Sequence, residues 1–221
     1  MIIFRKKISA PFCRQRALIV AILLMAPLLT AGILNPAHAQ AASPVEAMVS
    51  NFANQVLHIL ANRASATRQK VQFANVFLKN TDIGAIARFT LGKYARRIKD
   101  RERKQLNRLL STYIVQLFVV KMRGTQSEGL EILGTTERKK DIDFLVRSEI
   151  KIRKVPGFSD APIPVKWRVQ KKDGGDFKLY DINIGGFWLA QEQRSTFVDI
   201  ISRNNGKISA LLEYLKKETA D

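Results

Sequence analysis

The sequence is nearly without cysteine and histidine. Its 221 residues hold one Cys, Cys13, and two His. One thiol cannot build a disulfide scaffold or a multi-thiol metal or redox site. Two histidines do not make a His-rich zinc or copper centre, and neither a Ser-His nor a Cys-His nucleophile pair is supported. No glycine-rich phosphate loop follows a strand-like run, so nucleotide binding is not supported. Past the N-terminal segment, no run reaches the roughly 18 uninterrupted apolar residues of a membrane span. Acidic residues are scarce too. There are 19 Asp+Glu against 37 Lys+Arg, a net charge of +18. Hydrophobic residues make up 46%, a globular composition rather than a disordered one.

What the chain does have begins with its first 39 residues, which read as a cleavable secretory signal. Arg5, Lys6, Lys7, Arg14 and Arg16 form a basic start without an acid, and an apolar run from Ala17 to Leu34 follows. Ala37-His38-Ala39 supplies a small-x-small cleavage site, leaving Gln40 as the first mature residue. The rival is an uncleaved anchor, which Pro27 and Gly32 weaken. Cys13 precedes the apolar run and so cannot carry a lipoprotein anchor. Removing five cations and no acid lowers the surplus to +13 on 182 residues, with no Cys and one His, His58. An exported chain without disulfides points to a bacterial periplasm. Its length suits one domain, residues 40–221, that buries about 70% of its unfolded surface.

Periodicity divides that domain into helices, strands and helices again. Val45, Met48, Val49, Phe52, Val56, Ile59 and Leu60 form one face of a helix over 43–61, capped by Ser43 with Pro44 in its first turn. His58 falls on the opposite, polar face. A second helix over 67–78 turns Val71, Ala74, Phe77 and Leu78 inward, and a third runs from Ile83 to Phe89 and ends at Gly92. A long helix from Asp100 to Met122 carries the stripe Leu106, Leu109, Leu110, Tyr113, Leu117 and Val120. The period then becomes two. Residues 142–153 and 165–170 alternate apolar with polar, Asp173-Gly174-Gly175 supplies a turn, and Phe177 to Ile184 returns. Leu130 to Thr135 adds an edge strand before a turn at Glu137–Lys140. Pro156, Gly157, Pro162 and Pro164 mark the second connection. The last strand reads as apolar on both faces, Phe177 and Leu179 on one and Tyr180, Ile182 and Ile184 on the other. Two helices follow Gly185-Gly186. The expectation is an α+β domain, an antiparallel sheet of about four strands packed with several amphipathic helices.

Polar chemistry is sparse. Asp141 and Asp143 could suggest a glycosidase carboxylate pair, but a solvated turn among Arg138, Lys139 and Lys140 explains them better. Asp181, inside an apolar strand, either accepts hydrogen bonds or pairs with Arg168 across the hairpin, and a structural ion pair is the better reading. The basic surplus is a solvated surface, or it approaches an anionic membrane or acidic partners at about 1 kcal/mol per cation near the leaflet. Export and the absence of an aromatic-basic stacking motif exclude nucleic acid. The broad apolar stripes could enclose a dry gap between helices and sheet that accepts hydrocarbon. From these features alone a plain packed core is the better reading.

Several segments in order resemble one family. They are Ile86-Ala87-Arg88-Phe89-Thr90-Leu91-Gly92-Lys93-Tyr94, then Trp167-Arg168 with Lys171-Lys172, then Phe177-Lys178-Leu179-Tyr180-Asp181-Ile182, then Gly186 and Gln193-Arg194-Ser195-Thr196-Phe197. Together with the leader and the helix–sheet–helix plan, they resemble the periplasmic phospholipid-binding proteins of MlaC type, the toluene-tolerance auxiliaries of an ABC transporter, over roughly 45–217. One departure is Gly185-Gly186-Phe187-Trp188, where that family commonly has Glu-Gly-Val-Ser. The resemblance implies a monomeric periplasmic carrier, not an enzyme. It would move phospholipid between an outer-membrane lipoprotein–porin complex and an inner-membrane MCE-domain ABC transporter, with transient membrane-surface contact. Bound phospholipid would be cargo, with no cofactor and no metal. Candidate walls of the lipid pocket are Phe77, Ile86, Phe89, Tyr113, Leu117, Phe144, Val146, Ile150, Trp167, Val169, Tyr180 and Ile182, each equally a core residue. Arg88, Lys93, Arg96 and Arg97 would meet the head group or a partner, or form a solvated basic turn. A hopanoid or isoprenoid-type cargo, and a non-lipid adaptor of an envelope transporter, are the alternatives.

Overall fold

Ser43 starts the first helix, α1 (Pro44–Ala61), through a capping box. Its hydroxyl accepts from the Glu46 N–H at 3.4 Å, and the Glu46 carboxylate accepts from the Ser43 N–H at 3.0 Å. The other Glu46 oxygen accepts from the Thr135 hydroxyl at 2.6 Å, so the cap also ties α1 to the sheet. The computed structural model describes residues 42–62, 64–122, 124–154, 161–172 and 175–220. The leader, Cys13, Pro156-Gly157 and Asp173-Gly174 lie outside the described residues.

Helix α2 (Ala66–Asn80) is capped by Ser65 and α3 (Ile83–Leu91) by Asp82. Gly92 follows at φ +55 and opens a short 3-10 helix, Gly92–Arg96. A side chain at 92 would strain that φ and bring its Cβ within 3.1 Å of the Val198 side chain. Helix α4 (Asp100–Met122) leads into β1 (Gln126–Lys139), β2 (Asp143–Lys154), β3 (Ile163–Lys171), β4 (Phe177–Ile184) and β5 (Phe187–Trp188). These pair antiparallel in chain order. Helices α5 (Leu189–Arg203) and α6 (Ile208–Glu218) end the described chain.

The α+β plan stands, with five strands where about four were expected. Strand β1 is longer than the sequence suggests and absorbs Glu137–Lys139, which read as a turn. It is also irregular, with four register shifts and positive φ at Gly129 and Gly134. Bulges of this kind keep an edge strand from recruiting another chain.

Two helices are rotated from expectation. On α2 the buried residues are Gln69, Phe73 and Phe77, while Val71 and Leu78 are 58% and 48% exposed. The reason is Gln69. Its amide donates to the carbonyls of Ile59 at 3.0 Å and Asn62 at 2.7 Å, closing the end of α1 and fixing the face that α2 turns inward. On α4, Leu106 and Leu110 are buried as expected. Further along, the inner face passes to Val115 and Val119, and Val120 is 69% exposed. The shift follows from α4 serving two separate cores, one at each end.

Strand β4 also departs from its alternation. Arg168 pairs with Asp181 but Val169 pairs with Leu179, so Tyr180 and Asp181 together oppose one residue of β3. This bulge returns Phe177 and Leu179 to the face of Ile182 and Ile184, and all four join one apolar cluster. Tyr180 lies against Arg168 instead, with the guanidinium carbon 4.9 Å from its ring centre. The chain thus has one apolar sheet face, not two.

Asp143 is no solvated turn. It is 8% exposed and pairs with Arg168 at 2.9 Å, while Asp141 is exposed at φ +57. Asp181 therefore does not take Arg168 as its ion-pair partner. One of its oxygens accepts from the N–H groups of Ile182 and Ala190, both at 2.8 Å, and so anchors the start of α5.

Candidate functional site

The inner sheet face is built in rows. Ile132, Ser148, Val165, Ile184 and Phe187 are successive register partners across all five strands. A second row runs through Thr135, Val146, Trp167 and Ile182, and a third through Glu137, Phe144, Val169 and Leu179. Ser148 is the buried polar residue of these rows, and its hydroxyl is fully used. The Ser148 hydroxyl accepts from the Trp167 indole N–H at 2.8 Å and donates to the Val165 carbonyl at 3.1 Å. The indole is thereby locked with its flat body toward the helices, 6.0 Å and edge-on to Phe52.

Helices α1, α2 and the far half of α4 cover this face. Together they form a cluster of 17 buried residues with 14 half-buried hydrophobics packed on it, among the described residues. Seven of the twelve candidate wall residues meet here. Phe77, Val146, Trp167 and Val169 are buried, and Phe144, Ile150 and Ile182 are half-buried at its margin. The other five do not join them. Ile86 belongs to a second, helical cluster, with Phe89 and Tyr113 packed against it. Leu117 is half-buried outside both clusters, and Tyr180 lies on the outer sheet face, 5.7 Å and edge-on to Phe89. Burial, with the neighbouring Tyr214, pushes the Tyr113 hydroxyl up to about 12, so it stays protonated at neutral pH.

Sequence reasoning passed over Phe73 and Phe118, whose rings stack at 4.5 Å across α2 and α4. The candidate walls also omitted the half-buried Met48, Ile114, Leu130 and Ile132. A four-residue step from Gln69 through Phe73 to Phe77 was the available signal, hidden because Gln69 is polar.

Two cavities stand out. One, of about 360 Å³, lies between the start of α3, the β1–β2 turn and the facing ends of β3 and β4, and includes Arg88, Lys171 and Tyr180 in its lining. The other is an open groove of about 310 Å³ between α1 and α2, with His58, Ile59 and Val76 in its lining. The hollow lined only by aliphatic and aromatic groups is neither of these. Between helices and sheet Trp167 meets Phe52, and Phe73 stacks on Phe118 between α2 and α4. Of the four head-group candidates, Arg88 lines the first of these two cavities, and Lys93, Arg96 and Arg97 line neither. Lys93 stands 5.3 Å from the Tyr94 ring, and Arg96 and Arg97 are exposed on the 3-10 helix and its end.

Groups of three or more His, Cys, Asp or Glu able to hold a metal do not occur among the described residues, nor does a helix long and apolar enough to cross a membrane. The family model described as MlaC protein matches residues 50–217, more than half of the chain. The chain belongs to the MlaC family. As an MlaC-family chain it also has a structural likeness in the solved proteins. A phospholipid-binding protein from Ralstonia solanacearum, in complex with a phospholipid, superposes with a TM-score of 0.69 at 20% identity, covering 80% of this chain and 98% of that one. At that identity the likeness is one of fold. No curated protein matches the sequence.

Proposed function

We propose that this MlaC-family protein is a non-enzymatic periplasmic carrier of phospholipid. The acyl chains would lie between the inner sheet face and helices α1, α2 and the far half of α4, with the head group left at the margin. The protein would move its cargo between an outer-membrane lipoprotein–porin complex and an inner-membrane MCE-domain ABC transporter. The observation that carries this reading is the family match together with an apolar cluster rimmed by nearly as many half-buried hydrophobics as it has buried ones.

The physics fits a carrier. Each buried CH₂ is worth about 0.8 kcal/mol, so a chain of about fourteen is worth on the order of 11 kcal/mol in water. A lipid cannot leave a bilayer at a useful rate unless it meets an equally dry surface. The layers must part to admit it, and the pairs Phe73–Phe118 and Phe52–Trp167 exchange contact with each other for contact with the tail. No bond is made or broken, so direction comes from the partners.

The test is native mass spectrometry of protein purified without detergent. Co-eluting phospholipid at near-stoichiometric occupancy is expected. Protein that is persistently lipid-free and also fails to extract lipid from vesicles would overturn the reading, and a co-purifying isoprenoid would replace phospholipid as the cargo.

A further inference from the structure

The 360 Å³ cavity has no place in the carriage of acyl chains. It draws cations from three separate elements: Arg88 of α3, Lys171 with Lys172 at the end of β3, and Lys178 of β4. Its two acids do not balance them. Asp82 is already engaged, accepting from the Ala85 N–H at 2.9 Å and from Lys172 at 3.1 Å. Burial works against its ionisation, yet those two hydrogen bonds hold its carboxyl below the ordinary range. Asp141 is the other, exposed at the rim. Lys178 donates to the Lys79 carbonyl at 2.7 Å and pairs with the exposed Asp176 at 3.8 Å, so it adds no free charge. Arg88 and Lys171 form no salt bridge among the described residues, although the Arg88 charge also favours ionised Asp82 and the Lys171 ammonium stands 5.8 Å from the Phe177 ring centre.

Tyr180 borders the same space, and its ring is held firmly. Arg168 packs at 4.9 Å, Phe89 meets it edge-on at 5.7 Å, and Arg194 covers Phe89 at 5.0 Å. Burial holds its phenol above the ordinary value and Asp181 adds to that, while Arg168, Arg194 and Arg88 lie close enough to oppose it. Arg168 is neutralised by Asp143, and Asp181 is turned to the backbone of α5. The result is a concave site with surplus positive charge and a hydroxyl donor on a fixed ring. Leu179, 2% exposed, lies in the cavity wall and also in the sheet-side cluster, so the cavity and the apolar interior share one partition.

We propose that this cavity binds the phosphate of a phosphate ester, with Arg88 and Lys171 supplying charge and Tyr180 a hydroxyl. The chemistry favours phosphate. Cations converging from several directions suit a compact group with several charged oxygens, and guanidinium recognises phosphate by paired hydrogen bonds. At about 360 Å³ the space falls within the range of small-ligand sites. The phosphate has two possible sources, a soluble ester or the head group of a lipid whose tails lie beyond Leu179. The second source rests on the carrier reading.

Calorimetric titration of the protein with sn-glycerol 3-phosphate and with dihexanoyl phosphatidylglycerol tests the site, with glycerol as the neutral control. Arg88→Gln should weaken binding on the order of tenfold, and Tyr180→Phe by about threefold. Arg101→Gln, an exposed cation at the start of α4, should leave binding unchanged. Saturable binding of glycerol 3-phosphate that depends on Arg88 assigns the site to soluble esters. The same dependence with the short-chain lipid alone assigns it to a head group. No saturable binding of either probe, or equal weakening by Arg88→Gln and Arg101→Gln, overturns the proposal. Lipid identified by mass spectrometry reports on the carrier reading separately, since it does not depend on either titration.

Discussion

The two apolar clusters are built differently. The helical one joins α3, the 3-10 helix, the near half of α4, α5 and α6, and its largest members, Leu106, Leu110, Phe197, Ile201, Leu211 and Leu215, are fully buried. The sheet-side one gathers residues of β2, β3 and β4 with α1, α2 and the far half of α4, and includes the ring pairs Phe52–Trp167 and Phe73–Phe118. Of the seven large hydrophobics exposed among the described residues, six lie on or beside elements of the sheet side: Val71, Leu78, Val120, Leu133, Ile142 and Phe187. Only Leu189 opens a helix of the other cluster. One half of the molecule is thus closed by interlocked aliphatic packing. The other is rimmed by 14 half-buried hydrophobics and leaves most of the exposed large apolar side chains beside it. A carrier needs both, a fixed frame and a compliant face.

That contrast can be broken or sharpened by substitution. The largest effect is expected in the frame. Phe197→Ala should cost about 3–5 kcal/mol in urea denaturation, because its ring is fully buried and the helices around it cannot collapse to fill the space. A cost comparable to a surface change would show that the helical half is not the rigid one. Ser148→Ala comes next. It leaves the Trp167 indole N–H without its partner inside the sheet-side face and should cost about 1–3 kcal/mol, with a change in tryptophan fluorescence.

A smaller effect belongs to the seam between α1 and the sheet. Hydrogen bonds from Thr135 and Ser43 hold the Glu46 carboxyl below its ordinary value of 4.5. A lowered folded value means stability that is fully present above about 4.5 and is lost as pH falls through the folded value. Denaturation curves taken between pH 5 and pH 3, roughly, should show this loss. Glu46→Gln, which can keep the capping box, should flatten that part of the profile. Unchanged acid sensitivity would place it elsewhere. Smallest of all, Val71→Ser should shift stability by no more than about 0.5 kcal/mol, since that side chain is over half exposed. A large loss would return α2 to the rotation its sequence suggests.

The errors of sequence reading have a common origin. The capping residue Ser43, the ends of α4 and the faces of β2 and β3 were legible because each depends on local chemistry or a single period. The rotation of α2 was not, because Gln69 is buried for its hydrogen bonds to α1, which no hydropathy pattern records. The far half of α4 was not, because a helix shared by two cores does not keep one stripe. Within the candidate site, seven wall residues were readable from alternation and helical spacing. Tyr180 was placed on the wrong face by a bulge that alternation cannot anticipate, and Ile86, Phe89 and Tyr113 by the existence of a second core. The cationic cavity draws on residues 82 to 180 of the chain, and only Arg88 among them was singled out in advance for contact with a charged group.

The bulge at Tyr180 and Asp181 also bears on how this strand can change over generations. Without Asp181, the sequence would read Phe-Lys-Leu-Tyr-Ile-Asn-Ile, a regular in-and-out pattern with every apolar residue already on the correct side. The insertion therefore adds nothing to the greasy face. Its contribution is the carboxylate that receives the Ala190 amide. A deletion allele should keep a well-formed hairpin yet loosen the junction between sheet and α5. Related sequences with a shortened strand would then need another hydrogen-bond acceptor at that junction.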